Sequence, residues 1–210
     1  MIQKENIDYS LYLCTDRGLM SSATIEEAVE QAILGGTGVI QLREKDMDAG
    51  DFVRMAESVK QITEKYQVPL IINDRIDVAL AVGADGVHVG QRDIPAKMVR
   101  KMIGPDMLLG VSATTVEEAV QAVADGADYL GVGAMFATNT KDDAKIVTIE
   151  ELKRIREAVS VPIVVIGGIN MQTLEQFKGY GIDGLAVVSA VMAAQDVKQA
   201  AKDLITAFRE

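Results

Sequence analysis

The chain has 210 residues, a formal net charge of −10 at pH 7, and 4% aromatic residues with no tryptophan. Such a composition lacks the basic surface and the stacking residues of nucleic-acid-binding proteins. The sequence contains no run of about 18 apolar residues, which would predict a membrane span, and its opening residues lack the apolar segment of a signal peptide. We therefore expect a cytoplasmic protein with neither nucleic-acid nor membrane partners, and the length fits one domain.

The first elements alternate between strand and helix patterns. Tyr9 to Cys14 predicts an apolar strand, in which the single cysteine is buried filler. Thr24 and Glu27 have the spacing of a capping box, and the helix that they open ends at Gly35-Gly36. A second helix is predicted from Asp48 to Tyr66.

Between these helices lies a strand that ends in charged residues, Gln41-Leu42-Arg43-Glu44-Lys45. Because side chains alternate along a strand, Gln41, Arg43 and Lys45 share one face and Leu42 lies on the other. Two cations at the mouth of a barrel would favour an anionic ligand, since an unpaired charge there costs several kcal/mol. The alternative is a solvated strand end with a mixture of local charges.

The same unit recurs along the chain. Residues 115–120 repeat residues 24–29 almost identically, and the stretches at 83–87, 126–130 and 181–185 each place an aspartate between a helix end and a strand. Regular alternation of this kind, with strands apolar on both faces, predicts parallel strands joined by helices. We predict a single (β/α)8 TIM barrel, residues 1–210 forming one catalytic domain. A doubly wound open sheet is the alternative, disfavoured because no Gly-x-Gly-x-x-Gly follows the first strand.

Barrel enzymes carry their chemistry after the strands, where several polar residues stand in this sequence. Asp74 and Asp93 follow neighbouring strands and could bind one Mg²⁺, although capping of the next helix is the simpler role for each. Lys141 lies in a long polar loop that is either a lid with a phosphate-binding lysine or a plain solvated loop. The only histidine, His88, is expected to be a hydrogen-bonded interior residue.

Two phosphate sites follow from this pattern. Gly167-Gly168 and Val188-Ser189 come after strands 7 and 8, where barrels often bind phosphate on backbone N–H groups. Each pair taken alone could be a tight turn. Together with the cationic strand end they predict one site for a diphosphate and a separate site for a monophosphate.

The set of motifs resembles the thiamine phosphate synthase family. Its members are (β/α)8 barrels that join 4-amino-2-methyl-5-hydroxymethylpyrimidine diphosphate to a thiazole ethyl phosphate, releasing diphosphate. The matching stretches lie between residues 11 and 191 in the family's order: Gln41 to Lys45, Asn73-Asp74-Arg75, Gly83 to Gln91, Asp93, Gly110-Val111-Ser112, Thr138 to Lys141, Gly167-Gly168-Ile169 and Val188-Ser189-Ala190.

The resemblance implies a role for each motif. The pyrimidine diphosphate would be bound by Gln41, Leu42, Arg43, Glu44, Lys45, Asn73, Ser112 and Lys141. The thiazole phosphate would be bound by Thr138, Asn139, Thr140, Gly168, Val188 and Ser189. Asp74 and Asp93 would bind Mg²⁺, and catalysis would involve Arg43, Lys45, Ser112 and Lys141. Two positions depart from the family: Ala137 replaces a frequent proline, and Thr114 replaces a histidine found in many members.

The family's reaction is a dissociative substitution, which explains why no side-chain nucleophile stands out. In that reaction the cations and Mg²⁺ stabilise the departing diphosphate, and the thiazole nitrogen then attacks. Two other functions stay open on sequence alone. One is a thiazole tautomerase similar to this family, which uses a histidine after strand 5, and the other is a non-catalytic sensor of thiamine phosphate. The partners are thus small-molecule substrates, and a homo-oligomer is compatible with the sequence.

Overall fold

In the computed structural model, eight parallel strands pair in chain order and close into a barrel, because β8 also pairs with β1. The strands are β1 (Leu11–Cys14), β2 (Val39–Leu42), β3 (Leu70–Asn73), β4 (Gly86–Val89), β5 (Leu108–Ala113), β6 (Tyr129–Val132), β7 (Ile163–Ile166) and β8 (Gly184–Val187). The structure describes residues 3–137 and 146–210. The predicted TIM barrel is confirmed, and the open doubly wound sheet is excluded.

Helices surround the barrel, and α1 and α5 begin at the threonines of the repeated sequence pattern. They are α1 (Ile25–Leu34), α2 (Ala49–Tyr66), α3 (Ile76–Val82), α4 (Ala96–Ile103), α5 (Val116–Ala124), α6 (Ile149–Ala158), α7 (Ser189–Met192) and α8 (Val197–Arg209). The side chains of Thr24, Thr115 and Thr148 accept hydrogen bonds from the third backbone N–H of α1, α5 and α6. The seventh unit departs from the regular pattern, since only a 3-10 turn, Leu174–Phe177, stands between β7 and β8.

Each strand is buried on both faces, and the two faces lie in different environments. Leu13, Ile40 and Leu42 belong to a large apolar layer between the strands and the helices. Tyr12, Ile71 and Val164 belong to a smaller cluster inside the barrel. Because the two faces alternate, the interior also receives Gln41 and further polar side chains from the same strands.

The repeated aspartates fasten neighbouring strands together at the N-terminal end of the barrel. Asp85, Asp128 and Asp183 directly precede β4, β6 and β8. In each pair the carboxylate accepts the backbone N–H of a residue at the start of β3, β5 or β7, while the aspartate N–H donates to the carbonyl of that same residue. For Asp128 and Leu109 both hydrogen bonds measure 2.8 Å. The aspartate therefore fixes the register of each pair of strands.

No helix found in residues 3–137 and 146–210 has the length and apolar character needed to cross a membrane.

Candidate active site

A cavity of about 420 Å³ opens at the C-terminal ends of the strands and extends into the barrel. Eight of the predicted site residues line it, namely Gln41, Arg43, Lys45, Asn73, Asp74, Asp93, Ser112 and Val188. They are contributed by β2, β3, β5 and the loops after β2, β3, β4 and β8. Side chains that are distant in sequence thus share one cavity, as is usual for barrel enzymes.

The cationic side of the cavity is held by the segment that follows β2. The Arg43 guanidinium lies 3.4 Å from the Asp16 carboxylate, and its backbone N–H donates to Thr15 Oγ1 at 3.1 Å. Lys45 is exposed at the rim. Leu42 and Glu44 have their side chains elsewhere: Leu42 is fully buried against the helices, and the Glu44 carboxylate pairs with Arg17 at 2.9 Å. Contact of these two residues with a ligand stays a prediction.

Two carboxyl groups of the cavity lining, those of Asp74 and Asp93, lie next to each other. Burial, and then the charge of Asp93, raises the pKa of Asp74 to about 6, while an Asn73 hydrogen bond and the charge of Lys45 lower it. Neither aspartate caps the next helix, because the residues at the cap positions of α3 and α4 are Arg75 and Pro95. Asp93 instead accepts the backbone N–H of Gly90 at 2.7 Å.

This carboxylate pair fits a hard divalent cation. Two nearby oxygen donors with excess negative charge suit Mg²⁺, which takes one or two carboxylates and completes its shell with water and substrate phosphates. Within the described part of the chain no third acidic, histidine or cysteine ligand joins the pair. Two carboxylates would leave most of the coordination shell of such an ion to water and phosphate oxygens, unlike a closed structural site.

Deeper in the cavity, five side chains from five strands form a hydrogen-bonded chain that we call the interior network: Gln41, Tyr12, Tyr129, His88 and Ser112. Gln41 Nε2 donates to Tyr12 Oη at 2.7 Å, and the two tyrosine hydroxyls are 2.7 Å apart. His88 bridges the remaining members, with Nδ1 3.1 Å from Tyr129 Oη and Nε2 3.0 Å from Ser112 Oγ. The prediction of a hydrogen-bonded interior histidine is confirmed.

The sequence analysis assigned no site role to Tyr12, Tyr129, Gln91 or Glu118. Gln91 Nε2 donates to the Ser112 carbonyl at 2.7 Å, and Glu118 accepts from both the backbone N–H and the hydroxyl of Thr114. The signal for Gln91 was its place in the loop after β4. The two tyrosines gave no such signal, because they stand in strands that look uniformly apolar.

The opposite side of the cavity is formed by the ends of β7 and β8. Gly167 and Gly168 have φ values of +98° and +68°, which only glycine adopts readily, and Gly167 lines the cavity beside Val188. Ser189 is exposed at the first position of α7. Among the described residues, none accepts a hydrogen bond from the backbone N–H of Gly168 or Ser189. Thr138, Asn139, Thr140 and Lys141 lie outside the described residues.

A second cavity, of about 460 Å³, opens at the other end of the barrel. Its lining includes Lys4 together with the acidic residues Glu5, Asp8, Asp128 and Asp183. The Lys4 ammonium is paired with the Asp128 carboxylate at 2.9 Å, so this cavity has little positive charge with which to bind an anion. The two ends of the barrel therefore differ in charge.

The sequence comparisons with known proteins agree on one family. The sequence model described as "Thiamine monophosphate synthase" matches residues 11–191. The thiamine-phosphate synthase of Clostridium beijerinckii is 61% identical over 98% of both chains, and that of Methanobrevibacter smithii is 51% identical over 97% of both. Among solved structures, a thiamine phosphate pyrophosphorylase from Pyrococcus furiosus superposes with a TM-score of 0.89 at 38% identity, covering 97% of this chain and 96% of the other.

Proposed function

The chain belongs to the thiamine monophosphate synthase family, whose members are transferases, and we propose that it joins a pyrimidine diphosphate to a thiazole phosphate in the cavity at the C-terminal end of its barrel. The products would be thiamine phosphate and diphosphate. The observation that carries the proposal is the meeting of Arg43, Lys45, Asn73, Asp74 and Asp93 in one cavity. Two phosphates linked together need several cationic and polar partners, and this rim supplies them.

Magnesium is part of the proposal. Asp74 and Asp93 would hold the ion, and when bound it would neutralise charge on the diphosphate as a Lewis acid. Arg43 and Lys45 would bind the phosphate oxygens from the other side, and Lys141 would add a third cation. Because the Arg43 guanidinium is fixed next to Asp16, its position is set before substrate arrives, which lowers the cost of stabilising the leaving group.

The role of the protein is then to position the two substrates and to neutralise the charge of the departing diphosphate. The bond from the pyrimidine methylene to its oxygen breaks heterolytically, both electrons leave with the diphosphate, and the aminopyrimidine ring carries the positive charge. The thiazole nitrogen then donates its electron pair to the methylene. Gly168, Val188 and Ser189, with Thr138 to Thr140, would bind the thiazole phosphate close to that carbon, so that two substrates react as neighbours.

The remaining predictions are included in the proposal. Residues 1–210 act as one catalytic domain, Leu42 and Glu44 touch the pyrimidine diphosphate through the backbone of their segment, and the reaction takes place in the cytoplasm. A thiazole tautomerase is disfavoured, because position 114 carries a threonine whose hydroxyl donates to Glu118 at 2.8 Å and not a histidine. A homo-oligomer stays a prediction.

The test is a direct assay with both substrates. Purified protein is incubated with the pyrimidine diphosphate, the thiazole phosphate and Mg²⁺, and product is oxidised to fluorescent thiochrome. We expect product only when all three are present, and none when the metal is removed by a chelator. Absence of product, with binding of thiamine phosphate alone, would identify a sensor, and isomerisation of the thiazole alone would identify a tautomerase.

A further inference from the structure

In the interior network, the chemistry of the side chains indicates which group donates and which accepts in each hydrogen bond. An amide nitrogen only donates, so the bond from Gln41 Nε2 to Tyr12 Oη leaves the single proton of Tyr12 for its other partner, Tyr129. Burial raises the pKa of both phenols well above the usual value, so each keeps its proton. When Tyr129 accepts from Tyr12, its own proton has His88 Nδ1 as an acceptor 3.1 Å away, and this is the arrangement in which every hydroxyl proton of the buried pair is hydrogen-bonded.

The direction continues through the imidazole. A neutral imidazole whose Nδ1 accepts a proton carries its own proton on Nε2, which lies 3.0 Å from Ser112 Oγ. Ser112 Oγ therefore accepts from His88, and the proton of the serine hydroxyl is available to an acceptor in the cavity. With the opposite direction, the serine would donate to His88 and could only accept from a ligand.

We propose that Tyr12, Tyr129 and His88 are positioning residues that hold the Ser112 hydroxyl as a hydrogen-bond donor towards an acceptor atom of the bound pyrimidine diphosphate. The identity of that acceptor rests on the proposed function, whereas the direction of the network does not. The direction of the hydrogen bond from Gln41 therefore decides whether Ser112, which lines the cavity on the opposite side of the barrel, donates or accepts. His88, which links the two ends of the network, is only 8% exposed.

The backbone around the network is shaped for these side chains. A Cβ atom at Gly110 would lie 2.3 Å from Tyr129 Oη and 2.4 Å from His88 Nδ1. At Gly131, a Cβ atom would lie 3.0 Å from the His88 ring. Glycines on β5 and β6 thus leave the space in which the tyrosine meets the imidazole.

The first test uses the fact that His88 is the only histidine of the chain. Protein labelled with ¹⁵N-histidine gives one imidazole, whose long-range ¹H–¹⁵N correlations identify the protonated nitrogen. We expect the neutral tautomer with the proton on Nε2 in the wild-type protein without substrate. A proton on Nδ1, or a doubly protonated ring at pH 8, overturns the proposal. Because no substrate is needed, this result is independent of the enzyme's activity.

The second test asks whether the network acts through Ser112. Tyr129→Phe removes the hydroxyl between Tyr12 and His88, and we expect kcat/KM for the pyrimidine diphosphate to fall about three- to tenfold, the size of one net hydrogen bond. In a Ser112→Ala background the same change should have no further effect, since the hydroxyl that it orients is gone. An equal loss in both backgrounds would mean a purely structural role and overturns the proposal.

A matched control is available in the same cluster. The Tyr9 ring lies 5.3 Å from the Tyr129 ring, yet its hydroxyl forms no hydrogen bond with the described residues. Tyr9→Phe removes a phenol oxygen of the same kind, and we expect it to change neither the tautomer of His88 nor kcat/KM. A loss in Tyr9→Phe as large as that in Tyr129→Phe contradicts a specific role for the network.

Discussion

Asp74 stands in a backbone conformation that few residues other than glycine adopt, with φ of +60°. Its N–H donates to the carbonyl of His88 at 2.9 Å, which ties the end of β3 to β4. This conformation brings the carboxyl group to the cavity that Asp93 also lines instead of to the end of α3. The conformation therefore places the Asp74 side chain in the cavity, where it can bind a ligand.

Loss of one carboxylate of the proposed metal pair should lower activity without loss of fold. We expect Asp93→Ala to lower turnover by about 10²- to 10³-fold, because charge stabilisation of the departing diphosphate is lost. Lys141→Ala should have an effect of the same order. Both variants should keep the far-UV circular dichroism spectrum and the cooperative thermal transition of the wild type.

Asp77 provides the matched control for these variants. It lies in the first turn of α3 with 64% of its side chain exposed and pairs with Arg75 on the surface. Asp77→Ala removes a carboxylate three residues from Asp74 but outside the cavity lining, so turnover should stay at the wild-type level. Wild-type turnover in Asp93→Ala and Lys141→Ala would refute the assigned roles.

Cys14 lines the cavity but should not react in the folded protein. Burial raises the pKa of its thiol to about 12, and the reactive form of cysteine is the thiolate. We expect iodoacetamide at pH 8 to leave the native protein unmodified and to modify it fully in denaturant, as measured by intact mass. Rapid alkylation of the native protein would contradict the buried position.

The paired strands depend on the aspartates that precede β4, β6 and β8, but the three are not equivalent. Asp128 also binds Lys4 and Arg100, whereas among the described residues the Asp85 carboxylate accepts only the Leu70 N–H. Burial raises the pKa of Asp85 in the folded state above its unfolded value of about 3.9. Ionisation of Asp85 therefore lowers the stability of the folded state as the pH rises through the range between these two pKa values. An asparagine at 85 would keep the acceptor and remove that penalty.

We therefore expect different costs for the same substitution. Asp128→Asn should lower the free energy of unfolding by about 1–2 kcal/mol, since two partly screened ion pairs lose their charge. Asp85→Asn at pH 7 should stay within about 0.5 kcal/mol of the wild type. Urea denaturation monitored by circular dichroism measures both, and a larger loss at position 85 than at 128 would contradict this account.

The elements were predictable where the signal is local. Thr24, Thr115 and Thr148 mark helix starts because a hydroxyl and the third N–H of a helix meet within four residues. The aspartates before the strands were visible as a repeat, but their role was not, since Leu70 lies 15 residues before Asp85. The short turn after β7 was missed because alternation alone predicted a full helix there.

At the scale of the whole molecule, the site also has one part that the sequence predicts and another that it does not. Strand ends rich in Arg, Lys, Asn and Asp predicted a shared rim, because the barrel brings all such ends together. The interior network was not predictable, since Tyr12 and Tyr129 are 117 residues apart and both stand in apolar strands. Only closure of the barrel, with β1 beside β8 and β6 across the interior, brings their hydroxyls together.

Binding at the rim should stabilise the molecule as a whole. A ligand that binds only the folded state adds about 2.7 kcal/mol at 100 times its Kd, which for a chain of this length corresponds to a rise in Tm of roughly 5–10 °C. We expect this rise with diphosphate and Mg²⁺ together, and a much smaller one with either alone. The shift should disappear in Asp93→Ala, and its persistence there would place the site elsewhere.

The most direct measurement is a crystal structure of the protein with diphosphate and Mn²⁺, in which anomalous scattering locates the metal. The account predicts one strong anomalous peak bound by Asp74 and Asp93, with the diphosphate between that metal and the side chains of Arg43 and Lys45. A metal bound by other residues, or a diphosphate at the acidic N-terminal end of the barrel, would contradict it.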